Sequence, residues 1–183
     1  MIKYRKPADQ SPSIKLCEYL DITALPNAPI VDVACGYGRN GAYCVRKGRK
    51  VIFLDRDREA LNFISEGINV AQNGNIDTQL VRTVRVDFNN NRWPIPADSV
   101  AGIINVHYYN SNLIPMFISS LKIGGFLYIE TVDGRGSNFW NLPKYRELYT
   151  ALKNTFEFIY YSERKVKPYE YGAASLKMYG IRK

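Results

Sequence analysis

Val31–Gly41 reads VDVACGYGRNG. A short apolar run enters a loop with glycines at 36 and 38, and a segment able to start a helix follows. Strand, glycine loop and helix in that order mark the first turn of an open α/β sheet. There the backbone comes close to a ligand and the helix offers free N–H groups to it. Two templates fit the letters. From Gly36 the stretch is G-x-G-x-x-G, the dinucleotide fingerprint. From Asp32 it is D-x-A-x-G-x-G, in which a strand carboxylate precedes the loop. The first pattern suits a pyrophosphate. The second suits a ligand that carries positive charge. Gly41 reads as a small residue in the first helical turn.

Outward from this stretch the chain alternates. The apolar pattern predicts strands at 30–34, 51–54, within 79–86, at 100–106 and at 126–129. It predicts helices at 39–47 closed by Gly48, at 58–71 with Leu61, Ile64 and Ile68 on one side, and at 113–121 ended by Gly124 and Gly125. A helix over 13–20 precedes the breakers Pro26 and Pro29, and another covers 145–152. Strands at 156–162 and 174–181 close the chain. Strands separated by helices imply βαβ units and a mostly parallel sheet covered on both faces. The last two strands have no room for a helix between them and should pair as a hairpin, with one antiparallel strand in the edge region. The expected fold is therefore α/β: one doubly wound, Rossmann-like domain of about seven strands over residues 1–183.

The composition sets limits. Apolar residues make up 46% and charged residues 23%, enough for a full core in one domain. The cysteines, Cys17, Cys35 and Cys44, are three in number and show no C-x-x-C spacing, so they read as reduced thiols. A single histidine, His107, leaves no His-rich metal cluster, and no metal is expected. No apolar run reaches the roughly 18 residues of a membrane span. MIKYRKPADQ lacks the apolar segment of a secretory signal, so the cytoplasm is the expected compartment. The net charge of +8 reads first as a solvated basic face and keeps RNA open as a partner.

Three features separate the two templates. Asp32 lies inside an apolar strand, where a carboxylate is costly without partners. Two phosphates have no use for it, whereas a ligand with an ammonium and a sulfonium does; the alternative is that Asp32 caps nearby backbone N–H groups. Asp87 and Phe88 end the third strand, an acid and an aromatic suited to the edge and face of an adenine. Their alternative is a strand-end turn. Only 53 residues follow Glu130, little chain for the substrate site of a nicotinamide enzyme. Asp55, 19 positions after Gly36, suits ribose hydroxyls under either template.

VDVACGYGRNGAYCVRKGRKVIFLDRDREAL, VRVDFNNNRWPIPADSVAGIINVHYYN and LKIGGFLYIET together resemble the class I S-adenosylmethionine (SAM)-dependent methyltransferases over residues 29–131. The chain is most similar to the small branch around the tellurite-resistance methyltransferases, where G-x-G-R-N follows the first strand. The resemblance implies SAM as cofactor, S-adenosylhomocysteine as product, and a final antiparallel strand. It places Asp32, Ala34, Cys35, Gly36 and Gly38 at the methionine part and Asp55 at the ribose. Arg56 falls where an apolar residue often lies under the adenine. Asp87 and Phe88 fall at the adenine edge, and Asn105 where the fourth strand opens on the transferred methyl. Ala34 stands in place of the first glycine. On this reading 1–28 is an N-terminal segment and helix, 29–131 the cofactor-binding core, and 132–183 a loop, a helix and the closing strands.

Methyl transfer from a sulfonium depends mainly on alignment, and a base is needed only where the acceptor must lose a proton. His107 is the candidate base, with Tyr108 and Glu130 as further catalytic candidates and Tyr109 as a wall of the acceptor pocket. Loop 132–143, with Phe139 and Trp140, reads as a mobile cover, and the segment around Tyr4 and Arg5 as a cover on the other side. Asn105-Val-His-Tyr-Tyr109 lacks the prolines of amino-methylating nucleic-acid enzymes, and no cysteine lies near that strand. A small-molecule acceptor is expected, with RNA or protein as the alternative. A non-catalytic SAM-binding or scaffold protein is the reading from another class, opposed by the three acids Asp32, Asp55 and Asp87. The sequence does not give the oligomeric state.

Overall fold

The computed structural model describes residues 11–67, 78–90, 92–131, 142–166 and 172–183. Seven strands form one sheet: β1 (Ile30–Val33), β2 (Val51–Asp55), β3 (Val81–Arg85), β4 (Val100–Val106), β5 (Leu121–Glu130), β6 (Phe156–Lys165) and β7 (Ala174–Arg182). Their order is β3-β2-β1-β4-β5-β7-β6. The first five pair with one another in parallel. β7 is antiparallel to both β5 and β6, so the reversed strand sits one place in from the edge. The order turns back at β1 and β4, and ligands of open α/β sheets settle in the crevice at the carboxyl ends of such strands.

All four residues of β1 are buried, as a strand covered on both faces requires. One face packs Val31, Val33, Leu54, Ile103 and Ile129 against α4 (Ile114–Ser120) and α5 (Glu147–Leu152). The other packs Ile30, Phe53, Ile104 and Phe126 against α1 (Ile14–Tyr19), α2 (Arg39–Arg46) and α3 (Arg58–Gly67). Gly48, at φ +81°, follows α2 as its stop.

The helix expected over 113–121 is shorter, and Gly124-Gly125 do not end it. A 3-10 turn covers Ser111–Leu113, and Leu121 already belongs to β5, paired with Val100. The two glycines lie inside β5, where its register against β4 shifts between the Val100 and Gly102 pairs. A Cβ at Gly125 would meet the carbonyl oxygens of Lys122 at 2.8 Å and Ala101 at 3.0 Å, so the bulge needs glycine for backbone approach. Ile68, most of loop 132–143 (including Phe139 and Trp140), and Tyr4 and Arg5 lie outside the described residues.

Candidate active site

A cavity of about 450 Å³ runs along the carboxyl ends of β3, β2, β1 and β4 and on to the end of β5. Its floor is the loop between β1 and α2. Ala34 (φ +51°), Gly36 (+53°) and Gly38 (+75°) all take left-handed backbone there. Ala34 therefore holds a conformation that glycine adopts more freely. A Cβ on Gly36 would meet nothing within 4 Å, so the backbone is open at this point to an approaching ligand.

Asp32 is 2% exposed, and its Oδ2 accepts the Gly41 N–H at 2.8 Å. Burial pushes its carboxyl up to about 7; the Gly41 N–H opposes this, Asp55 adds to it and Arg39 offsets part. The expected capping alternative is thus present in the structure, and it occupies one oxygen. The Asp55 Oδ2 accepts the Gly36 N–H at 2.8 Å and its Oδ1 accepts the Asp57 N–H at 2.9 Å. A carboxylate has about four acceptor sites, so capacity for ribose hydroxyls is left. The Asp87 Oδ1 accepts the Asn89 N–H at 3.0 Å, a strand-end turn, and Asp87 also lines the cavity. Phe88 lines it too, with its ring 5.9 Å from that of Tyr108 and 6.1 Å from that of Trp93. Cys35 and Arg56 complete this side. Burial holds the Cys35 thiol well above its usual range, which makes it a poor nucleophile.

At the other end Val106, His107, Tyr108, Tyr109 and Thr131 line the cavity, with Leu142 at the margin of the expected cover. His107 takes φ +61°, unusual outside glycine, and its N–H donates to the Glu130 carbonyl at 2.7 Å. Burial lowers its imidazole pKa; Glu130 opposes this, while Arg39 and Lys177 add to it. The Tyr109 hydroxyl donates to Glu147 Oε1 at 2.7 Å and ties the end of β4 to α5. Burial, then that bond, hold it protonated.

Asn105 and Glu130 are not among the residues lining this cavity. By alternation Asn105 shares the face of Ile103; Asn105 is 2% exposed, and among the described residues its Nδ2 has no hydrogen-bond partner. Glu130 is held by Tyr128 and Lys177. Tyr37, Arg39, Asn40, Asn89 and Thr131, which the sequence does not single out as site residues, also line the cavity. The signal for two of them lay in G-x-G-R-N. Arg39 Nη1 donates to the Ser11 carbonyl at 2.8 Å, and Asn40 Oδ1 accepts the Ser13 N–H at 2.8 Å. These two side chains fasten the N-terminal segment to the first turn of α2.

The strand order and the glycine loop after β1 are those of a class I SAM-dependent methyltransferase. The family model described as tellurite resistance protein TehB matches residues 17–133, and the chain belongs to that family. The fold is shared with solved structures of low identity. One is geranyl diphosphate C-methyltransferase from Streptomyces coelicolor A3(2), solved with Mg2+, geranyl diphosphate and S-adenosyl-L-homocysteine. It has TM-score 0.65 and 16% identity, with 92% of this chain and 80% of that one covered. Another is a SAM-dependent methyltransferase from Methanosarcina mazei, with TM-score 0.61, 15% identity, and coverage of 94% and 98%. Comparison with curated proteins returns no match.

Proposed function

We propose that the protein moves the methyl group of SAM to a small acceptor bound at the β4–β5 end of the cavity. The observation that carries this is the division of one cavity into two chemistries. Asp32, Asp55 and Asp87 gather over β1–β3, and an imidazole and hydroxyls gather over β4 and β5. The volume of about 450 Å³ lies in the range of a small-molecule site and leaves limited room beside a cofactor.

The residues fit SAM. Gly36 leaves its backbone open, Asp32 gives a buried acid toward the methionine ammonium, and Asp55 has free acceptor capacity for the ribose. Asp87 and Phe88 take the adenine end. When bound, SAM supplies a methyl group on a sulfonium, which leaves as a neutral thioether. The protein's part is to align the acceptor, exclude water and accept a proton where the acceptor carries one. His107 holds that position, Tyr108 flanks it, and Tyr109, fixed by Glu147, walls the pocket. The free cysteines Cys17, Cys35 and Cys44 support a cytoplasmic setting. Among the described residues no helix is long and apolar enough to cross a membrane.

The test is to incubate the protein with methyl-labelled SAM and separate small-molecule, RNA and protein fractions of a cell extract. Label in the small-molecule fraction is expected. Label in RNA or protein would overturn the choice of acceptor, and no label in any fraction, with SAM bound, would favour a non-catalytic binding protein.

A further inference from the structure

Glu130 accepts the Tyr128 hydroxyl on Oε2 at 2.6 Å. Its Oε1 lies 3.0 Å from Lys177 Nζ and 3.9 Å from His107 Nε2. The last distance is too long for a hydrogen bond but short enough for charge to act. Sheet geometry builds this cluster. Tyr128 and Glu130 are two apart on β5 and share a face, and Lys177 stands directly opposite Glu130 on β7. The Glu130 carbonyl fixes the His107 backbone through the 2.7 Å bond already described. The reversed strand therefore delivers a cation to a carboxylate beside the one histidine of the chain.

A carboxylate alone so near an imidazole would draw a proton onto it. Lys177, closer to the same oxygen, offsets that pull, and Tyr128 holds the other oxygen away from the ring. Among the described residues, the charged groups acting on His107 are Glu130 from β5, Lys177 from β7 and Arg39 from α2, one anion against two cations. A base must be neutral before it accepts a proton, and beside a sulfonium a neutral ring also avoids repulsion.

We infer that Lys177 and Tyr128 are positioning residues: by engaging both oxygens of Glu130, they keep that carboxylate from drawing a proton onto the His107 ring at the acceptor end of the cavity. For its purpose the inference rests on the methyl-transfer reading. For an acceptor X–H, the lone pair on X bonds the methyl carbon, the carbon–sulfur pair stays with sulfur, and the proton passes to the imidazole.

The test needs no turnover. The 183-residue chain labelled at histidine Cε1 gives one carbon–proton NMR signal, because it holds one histidine. Its titration midpoint is expected below the ordinary value of about 6.5. Lys177→Met should raise the midpoint by a few tenths of a pH unit, and Glu130→Gln should lower it. A purely structural role would not give opposite signs. Lys177 is half-exposed, so its variant decides the matter even where Glu130→Gln fails to fold. An unmoved midpoint in Lys177→Met, or shifts of the same sign in both variants, would overturn the inference. Calorimetry of SAM with the unaltered protein tests the methyl-transfer reading separately, and failure there would leave the titration result standing.

Discussion

Asp32 combines two demands on one carboxylate. One oxygen anchors the first turn of α2 through Gly41, and burial holds the proton on up to about pH 7. An acid with a raised folded pKa binds more protons folded than unfolded between about 4 and 7. The unliganded protein should therefore lose stability as pH rises through that window and level off above it. Asp32→Asn should flatten the trend, as read by thermal melts from pH 5 to 8. An ammonium arriving beside Asp32 favours the carboxylate, so SAM binding at pH 6.5 should release protons. Calorimetry in buffers of different ionisation enthalpy measures this, and wild-type affinity without proton release would remove Asp32 from the methionine site. Asp55→Ala should cut SAM affinity by roughly 10- to 100-fold, the scale of lost charge-assisted hydrogen bonds. It loses both the ribose contact and the tie to Gly36, so unchanged affinity by calorimetry would exclude the ribose role. That the three acids come to one cavity was legible because a carboxylate inside or just after an apolar strand needs a reason. Asn105 was not, since at a strand end one residue of register decides which face a side chain takes.

The first turn of α2 shows what an element adds to its residues. Gly41 read as an incidental small residue, yet a Cβ there would lie 2.8 Å from Phe53 Cζ and 2.9 Å from Asp32 Oδ2. The third glycine of the fingerprint lets the helix lie close on β2 and keeps its N–H on Asp32. Gly41→Ala should cost about 1–3 kcal/mol, the usual range for forcing a carbon into a packed core. Urea unfolding measures it. Adding Phe53→Leu should recover part of the loss, and a double variant no better than the single would locate the strain elsewhere. Such contacts were hidden because the sequence shows periodicity, not the distance between a helix and the strand beside it. The start of β5 was hidden for a related reason. Leu121 is apolar on either assignment, and the Gly124-Gly125 pair that resembles a helix stop is a bulge.

At the scale of the whole molecule, the parallel core was legible because strands buried on both faces read as unbroken apolar runs. The reversed strand followed from the lack of a helix before it. What β7 carries to the site, Lys177 opposite Glu130, depends on a register that no local pattern sets. The cavity draws on the ends of β1, β2, β3, β4 and β5 and on the turn that fastens the N-terminal segment, so occupancy should stabilise the fold as a unit. A ligand at a hundred times its dissociation constant adds about 2.7 kcal/mol. For a chain of this size that is a rise in melting temperature of roughly 5–10 °C. SAM and S-adenosylhomocysteine should both give that rise, because most of the grip falls on the parts they share. NADH should give none, since Asp32 sets a buried acid where a dinucleotide would bring phosphates. A melting shift with NADH and none with SAM would return the glycine loop to the dinucleotide reading.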